Sequence, residues 1–556
     1  MTIGPITSLF QTRHLLRHRA YYAALLILCL CVHAGCQRND SGGGAAISRN
    51  NGRGDPTSDA KTAHASAVHS EAQKRESIAM LPPPRLGDAS RGKEVFRSET
   101  FGNEGFWTDA MRVPKGMADH KVTPIDALKI GMTIDADAIP ADLKDALARE
   151  LKTNMTPEHA PLLNDPQTTV KLVEAGAVVG IVPKGKDRVG ISCALCHTIS
   201  DGSVFVMPEG GSIGRRLDGR TPHTLNVGKL LATAANSRAF FPHLQLQLGG
   251  KTIGRAPTGL TADSTEEEVD AYLSNPKYFP IGTFDDTQDG NGNSIIIQPF
   301  FRQDLAAPFG SAGEHAVLDN FSNDVYTRLF DPTNLLTAEG RQFLHAQAGP
   351  LGDELAAGYE KVLKTTGVTG YPFVKASKTG KPVGDPASPI GLRVDEQRLL
   401  DLNAYLVSLP APKGAKIDEA TFARGRELFK ASCTQCHNAD QSKPVPANLV
   451  DLKILWPGYA PQVIAQRQPP LDAVQNSPGT FDDKMIVVDA SGRGDKRGNA
   501  LPLLLDLARK PVFLHDASVP SLDALLDPVR GTDAPHPFYV KDKAHRDDVM
   551  QFLRGL

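Results

Sequence analysis

Two five-residue strings carry reactive chemistry: Cys193-Ala194-Leu195-Cys196-His197 and Cys433-Thr434-Gln435-Cys436-His437. On a helical turn, residues i and i+3 project from one face. Each string therefore presents two thiols side by side, with an imidazole next to them. Thiols so placed can form thioethers with the two vinyl groups of one porphyrin, while the histidine turns its ring onto the iron. Cys-x-x-Cys-His is accordingly the pattern of c-type haem attachment, with histidine as the proximal ligand. The expected cofactors are two covalently bound haem c groups. Cys193, Cys196, Cys433 and Cys436 would hold the porphyrins, and His197 and His437 the irons. A redox dithiol and a zinc site are the rival chemistries. A dithiol does not need the trailing histidine, and a zinc centre would need both strings to meet in the fold.

The elements around the strings must position them. Asp418 can cap a helix whose apolar face carries Phe422, Leu428 and Phe429, with Gly425 between them to admit a second helix. The second string follows directly. The chain then closes in a helix at about 543–556, with Val549, Met550, Phe552 and Leu553 apolar. N-terminal helix, attachment string and C-terminal helix in this order resemble the cytochrome c fold. A similar opening helix lies near Gly92 to Phe96. Its C-terminal counterpart, Leu399 to Leu409, is ended by Pro410 and Pro412. The expected fold class is mainly α, with two tandem cytochrome c-type domains. The first, 85–410, would be enlarged by long loop insertions, and the second would span 413–556. One insertion, Asp285 to Asn293, could offer oxygen ligands to calcium. It misses the EF-hand register, however, and a solvated turn fits it better.

Length and composition bound the rest. The chain has 556 residues, a formal net charge of -2 and 40 % hydrophobic residues, which gives no electrostatic case for nucleic acid. Gly 50 and Pro 41 predict many turns and long loops. Of seven cysteines, four lie in the two strings. The others, Cys29, Cys31 and Cys36, lie in or just after an apolar run that follows Arg13, Arg17 and Arg19. That layout, over 1–36, is a secretory signal peptide. The run is shorter than the roughly 20 residues a bilayer span needs. Val32-His33-Ala34-Gly35-Cys36 also resembles a lipoprotein cleavage site, which would lipidate Cys36. Residues 37–84 read as a disordered tether. The expected location is the periplasm, with a possible lipid anchor to the outer membrane.

Several stretches resemble the bacterial dihaem cytochrome c peroxidase superfamily, and within it the rubber-oxygenase-like branch. They are Gly92 to Phe96, Thr100 to Asp109, Ser212 to Gly219, and Val512 to Leu522. The resemblance implies one working haem with an open or labile sixth position and one six-coordinate haem that passes electrons. It implies His515 as the distal ligand of the His437-bound iron. No methionine occurs between Met485 and Met550 to take that role. For the His197-bound iron, Met207, His223 and His243 are candidates by nearness in sequence, with no matching motif. The expected function is electron transfer with a periplasmic donor or acceptor protein; the alternative is a peroxidase or oxygenase working at an open first haem. Two departures weigh against the enzyme. The tryptophans, Trp107 and Trp456, both fall outside the interval between the strings. No distal acid or base carries a motif, although Glu209 is close in sequence. Arg215 and Arg216 could pair with haem propionates or form a solvated basic pair.

Overall fold

The computed structural model describes residues 82–252, 256–286, 293–310, 315–434, 437, 473–475, 486–488, 499–500, 502–514, 517–532, 534 and 536–556. The expected signal peptide, Cys36, nearly all of the tether, Cys436, Trp456 and His515 lie outside the described residues, as does the tip of the Asp285 to Asn293 loop. The protein is mostly helical, with 43 % helix against 10 % strand, so the mainly-α expectation holds. Among the described residues, no helix is long and apolar enough to cross a membrane.

Two helix pairs repeat one arrangement. Helix α1 (Ala89–Ser98) starts at Asp88, whose side chain accepts from the Arg91 N–H. It buries Gly92, Val95 and Phe96, spaced to share one face. Helix α4 (Glu396–Ser408), capped by Asp395, crosses it. Gly92 makes that crossing possible, because a Cβ there would lie 1.9 Å from the Asp401 carbonyl oxygen. Arg91 Nε bonds Asp401 at 2.8 Å, and Phe96 packs on Tyr405 with ring centroids 5.6 Å apart. The second pair repeats the same contacts, with its first helix starting one turn earlier relative to the crossing glycine. Helix α5 (Glu419–Ser432) is capped by Asp418 as expected, and α7 (Lys543–Gly555) is capped by Asp542. A Cβ at Gly425 would meet the Asp548 carbonyl oxygen at 2.1 Å. Arg424 Nε bonds Asp548 at 2.9 Å, and Phe429 packs on Phe552 at 5.3 Å. Each pair belongs to its own apolar cluster, one built from Val95 to Leu409 and the other from Phe422 to Leu556.

A loop-and-helix element is also repeated. Phe309 and His315 exchange backbone hydrogen bonds of 2.7 and 3.1 Å, and α3 (Leu318–Asp324) begins three residues later. Phe513 and Val519 do the same at 2.7 and 3.3 Å, and α6 (Leu522–Leu526) follows at the same offset. The acid after each helix's first leucine is bound by arginine: Asp319 by Arg393 at 2.5 Å, and Asp523 by Arg546 at 3.0 Å.

The main difference between the repeats is an insertion. Cys433 follows α5 at once, whereas nearly a hundred residues separate α1 from Cys193. That excursion contains short helices and the strands β1 (Thr133–Asp135), β2 (Ile181–Pro183) and β3 (Val189–Ile191). Strands β2 and β3 pair antiparallel and return the chain to the end of α1. After the first string, β4 (Thr198–Ser200), β5 (Phe205–Val206), β6 (Ser212–Gly214) and β7 (Arg216–Asp218) form two small sheets. Strand β4 pairs antiparallel with β7, while β6 lies between β1 and β5. The Asp285 to Asn293 stretch lies at a hairpin of strands Thr283–Asp286 and Asn293–Ile296.

Candidate functional site

The first string is a single turn. Cys193 has helical angles, φ -53° and ψ -28°, and α2 (Ala194–His197) follows. Three hydrogen bonds seat this turn beside the end of α1 and the loop that follows it. Ser192 Oγ donates to the Arg97 carbonyl at 2.9 Å. Fully buried Asn103 clamps Ile191, donating to its carbonyl at 2.8 Å and accepting its N–H at 3.0 Å. Cys193 is 6 % exposed. Its Sγ lies 3.3 Å from the hydroxyl of Tyr326, which sits on a π-helical turn over Val325–Leu329. π-helical turns are frequent at functional sites.

His197 is held on three sides. Its Nδ1 lies 2.8 Å from the Gln298 carbonyl. A carbonyl only accepts, so Nδ1 carries the proton and Nε2 keeps its lone pair. Phe300 stacks on the imidazole with centroids 3.5 Å apart and planes 9° from parallel. The backbone fixes that stack, because Gly219 N donates to the His197 carbonyl at 2.7 Å and Phe300 N donates to the Gly219 carbonyl at 2.8 Å. Gly219 has φ +81°, a conformation that favours glycine. The resembling stretch Ser212 to Gly219 thus braces the first string through β4 and β7.

Burial governs the protonation of these groups. It pushes the Cys193 thiol up to about 11, a rise the Tyr326 hydroxyl moderates, and it pushes Cys196 to about 12. Burial also lowers His197 to about 3, partly offset by the bond to Gln298. At neutral pH the turn therefore holds two protonated thiols and one neutral imidazole. A redox dithiol calls for the opposite, a thiol lowered toward neutrality. Among the described residues, no group of three or more His, Cys, Asp or Glu side chains converges as a metal-binding set.

The second string is shorter in its supports. The His437 N–H donates to the Cys433 carbonyl at 3.0 Å, and Thr434 Oγ1 donates to the Lys430 carbonyl at 2.8 Å. Burial raises the Cys433 thiol to about 12 and lowers His437 to about 4. Phe429 of α5 lies 6.3 Å from the His437 ring, and His536 lies 6.2 Å from it on centroids. Sequence reasoning missed His536. Its only sequence signal is a histidine placed between two prolines, Pro535 and Pro537, shortly before the last helix.

The remaining expected residues are dispersed. Met207 is buried in the first apolar cluster, its N–H bonded to the Gly211 carbonyl at 2.7 Å. His243 is buried at the end of a 3₁₀ turn, 4.6 Å from Phe240. His223 is lowered to about 4 by burial and by the charges of Lys510 and Arg509, which places it beside the 502–514 segment. Glu209 is exposed. Trp107 is buried between Phe106 and Phe240, and its Nε1 has no hydrogen-bond partner. Arg216 is neither a solvated cation nor free for a propionate, because its Nε pairs with the buried Asp135 at 2.6 Å and it also donates to the Gly176 carbonyl. A second unpredicted centre is Asp218, which receives Arg97 Nε at 2.7 Å, the Tyr405 hydroxyl at 2.5 Å and Thr198 Oγ1 at 3.0 Å. It ties α1, α4 and β4 together beside His197. A mixed-charge cleft of about 780 Å³, lined by Glu99, Lys184, Lys375 and Arg398 among others, contains none of the string residues.

No protein-family profile and no curated protein matches the chain. Among solved structures, it is similar to Kuenenia stuttgartiensis hydrazine synthase pressurised with 20 bar xenon. That likeness has a TM-score of 0.18 and 15 % identity, and it covers 30 % of this chain. The chain spans 57 % of that structure's length. A likeness this low carries no argument about fold or activity.

Proposed function

We propose that the protein is an exported dihaem c-type cytochrome that transfers electrons. The observation that carries this is the first string. Cys193, buried, and Cys196, half-buried, sit one helical turn apart beside His197, whose Nδ1 is held by the Gln298 carbonyl so that Nε2 keeps its lone pair. This donor set suits thioether attachment of one porphyrin and a single axial bond to its iron, and its raised thiols do not suit a dithiol exchange site. The repeated helix pair supports a second unit of the same kind around Cys433, Cys436 and His437. On this reading 85–410 and 413–556 are tandem cytochrome c-type domains.

Bound haem would supply one-electron redox chemistry. The chain's own part is to hold and tune it. The Gln298 carbonyl raises the basicity of His197 and fixes the ring, as such outer hydrogen bonds do for metal-bound histidines. Phe300 covers the imidazole and keeps water from that side. A periplasmic donor or acceptor protein would be the partner, and lipidation at Cys36 would tether the chain to the outer membrane. Haem staining of the denatured chain, with mass spectrometry of the mature polypeptide, tests this. Two covalent haems are expected, with one lost from a Cys193→Ser/Cys196→Ser variant. A chain without covalent haem rejects the proposal.

A further inference from the structure

We propose that His536 is the distal ligand of the His437-bound iron, closing the second haem by two histidines. The inference rests on the dihaem reading above and specifies it. Imidazole nitrogen binds first-row metals at about 2.0 Å, and the ring centroid lies roughly 1 Å further out. Two imidazoles on opposite sides of one ion therefore hold their centroids roughly 6 Å apart. The His437 and His536 rings stand 6.2 Å apart, with planes at 52°. That gap is too wide for a stacked pair, and neither ring is recorded bonding to the other.

Three further observations point the same way. His536 Nδ1 is buried without a hydrogen-bond partner, and a buried imidazole with an idle nitrogen costs free energy unless something binds there. His536 also has φ +57°, the left-handed region. Pro537 follows it, so the unusual backbone aims this one side chain. Aromatic rings flank the pair, with Phe429 6.3 Å from His437 and Phe538 5.4 Å from His536. They supply the apolar walls a porphyrin needs.

The internal repeat sharpens the assignment. His536 lies six residues before the cap Asp542, and the residue six before the matching cap Asp395 is Pro389. The first unit therefore has no counterpart of this ligand. The same alignment sets Ser311 at the place of His515, two residues after Phe309 and Phe513 respectively. Neither distal candidate of the second unit is duplicated in the first.

The test uses the full-length exported protein carrying both haems, with His536→Ala, His536→Met and His515→Ala variants. Covalent haem is counted first, by mass. Loss of haem from the unsubstituted chain would defeat the dihaem reading, which is a different failure from that of the ligand assignment. With two haems present, electron paramagnetic resonance should show the bis-histidine low-spin signal falling from one haem equivalent to near zero in His536→Ala. Added imidazole should restore it. His536→Met should replace that signal with a methionine–histidine species of higher potential, and it carries the same test should His536→Ala fail to accumulate. His515→Ala should leave the signal at one equivalent. A signal undiminished in both His536 variants overturns the assignment, as does its loss in His515→Ala alone.

Discussion

The two helix crossings share an ion pair, and its environment differs between them, so the repeat predicts unequal costs for one substitution. Asp401 has a side chain 3 % exposed. It accepts from Asp88 N–H at 2.7 Å, from Arg91 Nε and Nη2 at 2.8 and 3.0 Å, and from Gln397 at 3.0 Å. Asp548 is 18 % exposed and accepts from Arg424 alone, at 2.9 Å twice, with that arginine 57 % exposed. Asp401→Asn removes the charge facing Arg91, which is itself 62 % exposed, and turns an amide NH2 toward a shielded cluster of donors, so about 1.5–2 kcal/mol is expected to be lost. Asp548→Asn weakens an exposed pair and should cost about 0.5–1 kcal/mol. Chemical denaturation of the holoprotein, followed by near-ultraviolet circular dichroism, measures both. The pH dependence gives a second check. Hydrogen bonding from Arg91, with lesser help from Asp88 and Gln397, holds the Asp401 carboxyl down to about 2. A depressed acid stabilises the fold above its ordinary value near 4, and that contribution is lost as pH falls through 2. The gap between the parent chain and Asp401→Asn should therefore be full at pH 6 and shrink toward pH 2. Equal costs at the two sites, or a gap that widens on acidification, would refute the reasoning.

Phe300→Leu removes the ring stacked on His197 while keeping an apolar side chain. It should cost about 1 kcal/mol in stability and shift the midpoint potential of one haem only, read by spectroelectrochemical titration. Arg216→Gln leaves Asp135 buried without its charge partner, so a loss of about 3–5 kcal/mol is expected. The visible spectra of both haems should stay unchanged, because Arg216 serves Asp135 rather than a propionate. Asp270 is raised to about 6, chiefly by burial, against the bond from Ser237 and with Glu266 adding to the rise. A raised acid favours the fold below its ordinary value, and that advantage is lost as pH rises through 6. Asp270→Asn should therefore gain about 1 kcal/mol over the parent at pH 8, after allowance for partial exposure, and nothing at pH 4; thermal melts at the two values decide it.

What was legible in the sequence was local. The two Cys-x-x-Cys-His strings stand out by spacing, and Asp418, Gly425 and Phe429 declare a capped helix with a close-approach residue. The same signature around Asp88, Gly92 and Phe96 is equally plain once the second is known. The supports of His197 were not legible, because Gln298, Phe300 and Gly219 come from segments about 20 to 100 residues away. They meet the ring through backbone bonds that no side-chain pattern encodes. Arg216 misled for a related reason. A pair of adjacent arginines looks solvated until the step from β6 into β7 sets one of them against Asp135 of β1, in the other small sheet. His536 was hidden because its setting is a turn, where neither helical nor strand periodicity marks which way a side chain faces.

The repeat also explains how one architecture can hold two unlike sites. In the second unit α5 runs straight into its string, and the opposite side of the His437 ring is filled by the turn that carries His536. In the first unit the turn before α4 has Pro389 at that place, and proline offers no nitrogen to a metal. The long excursion between α1 and Cys193 instead adds bracing on the His197 side: Asn103 on Ile191, Ser192 on Arg97, and the β4–β7 pair that carries Gly219 against His197. Rigidity is thus concentrated where the proximal imidazole must keep its orientation, while the duplicated source of a distal histidine is missing.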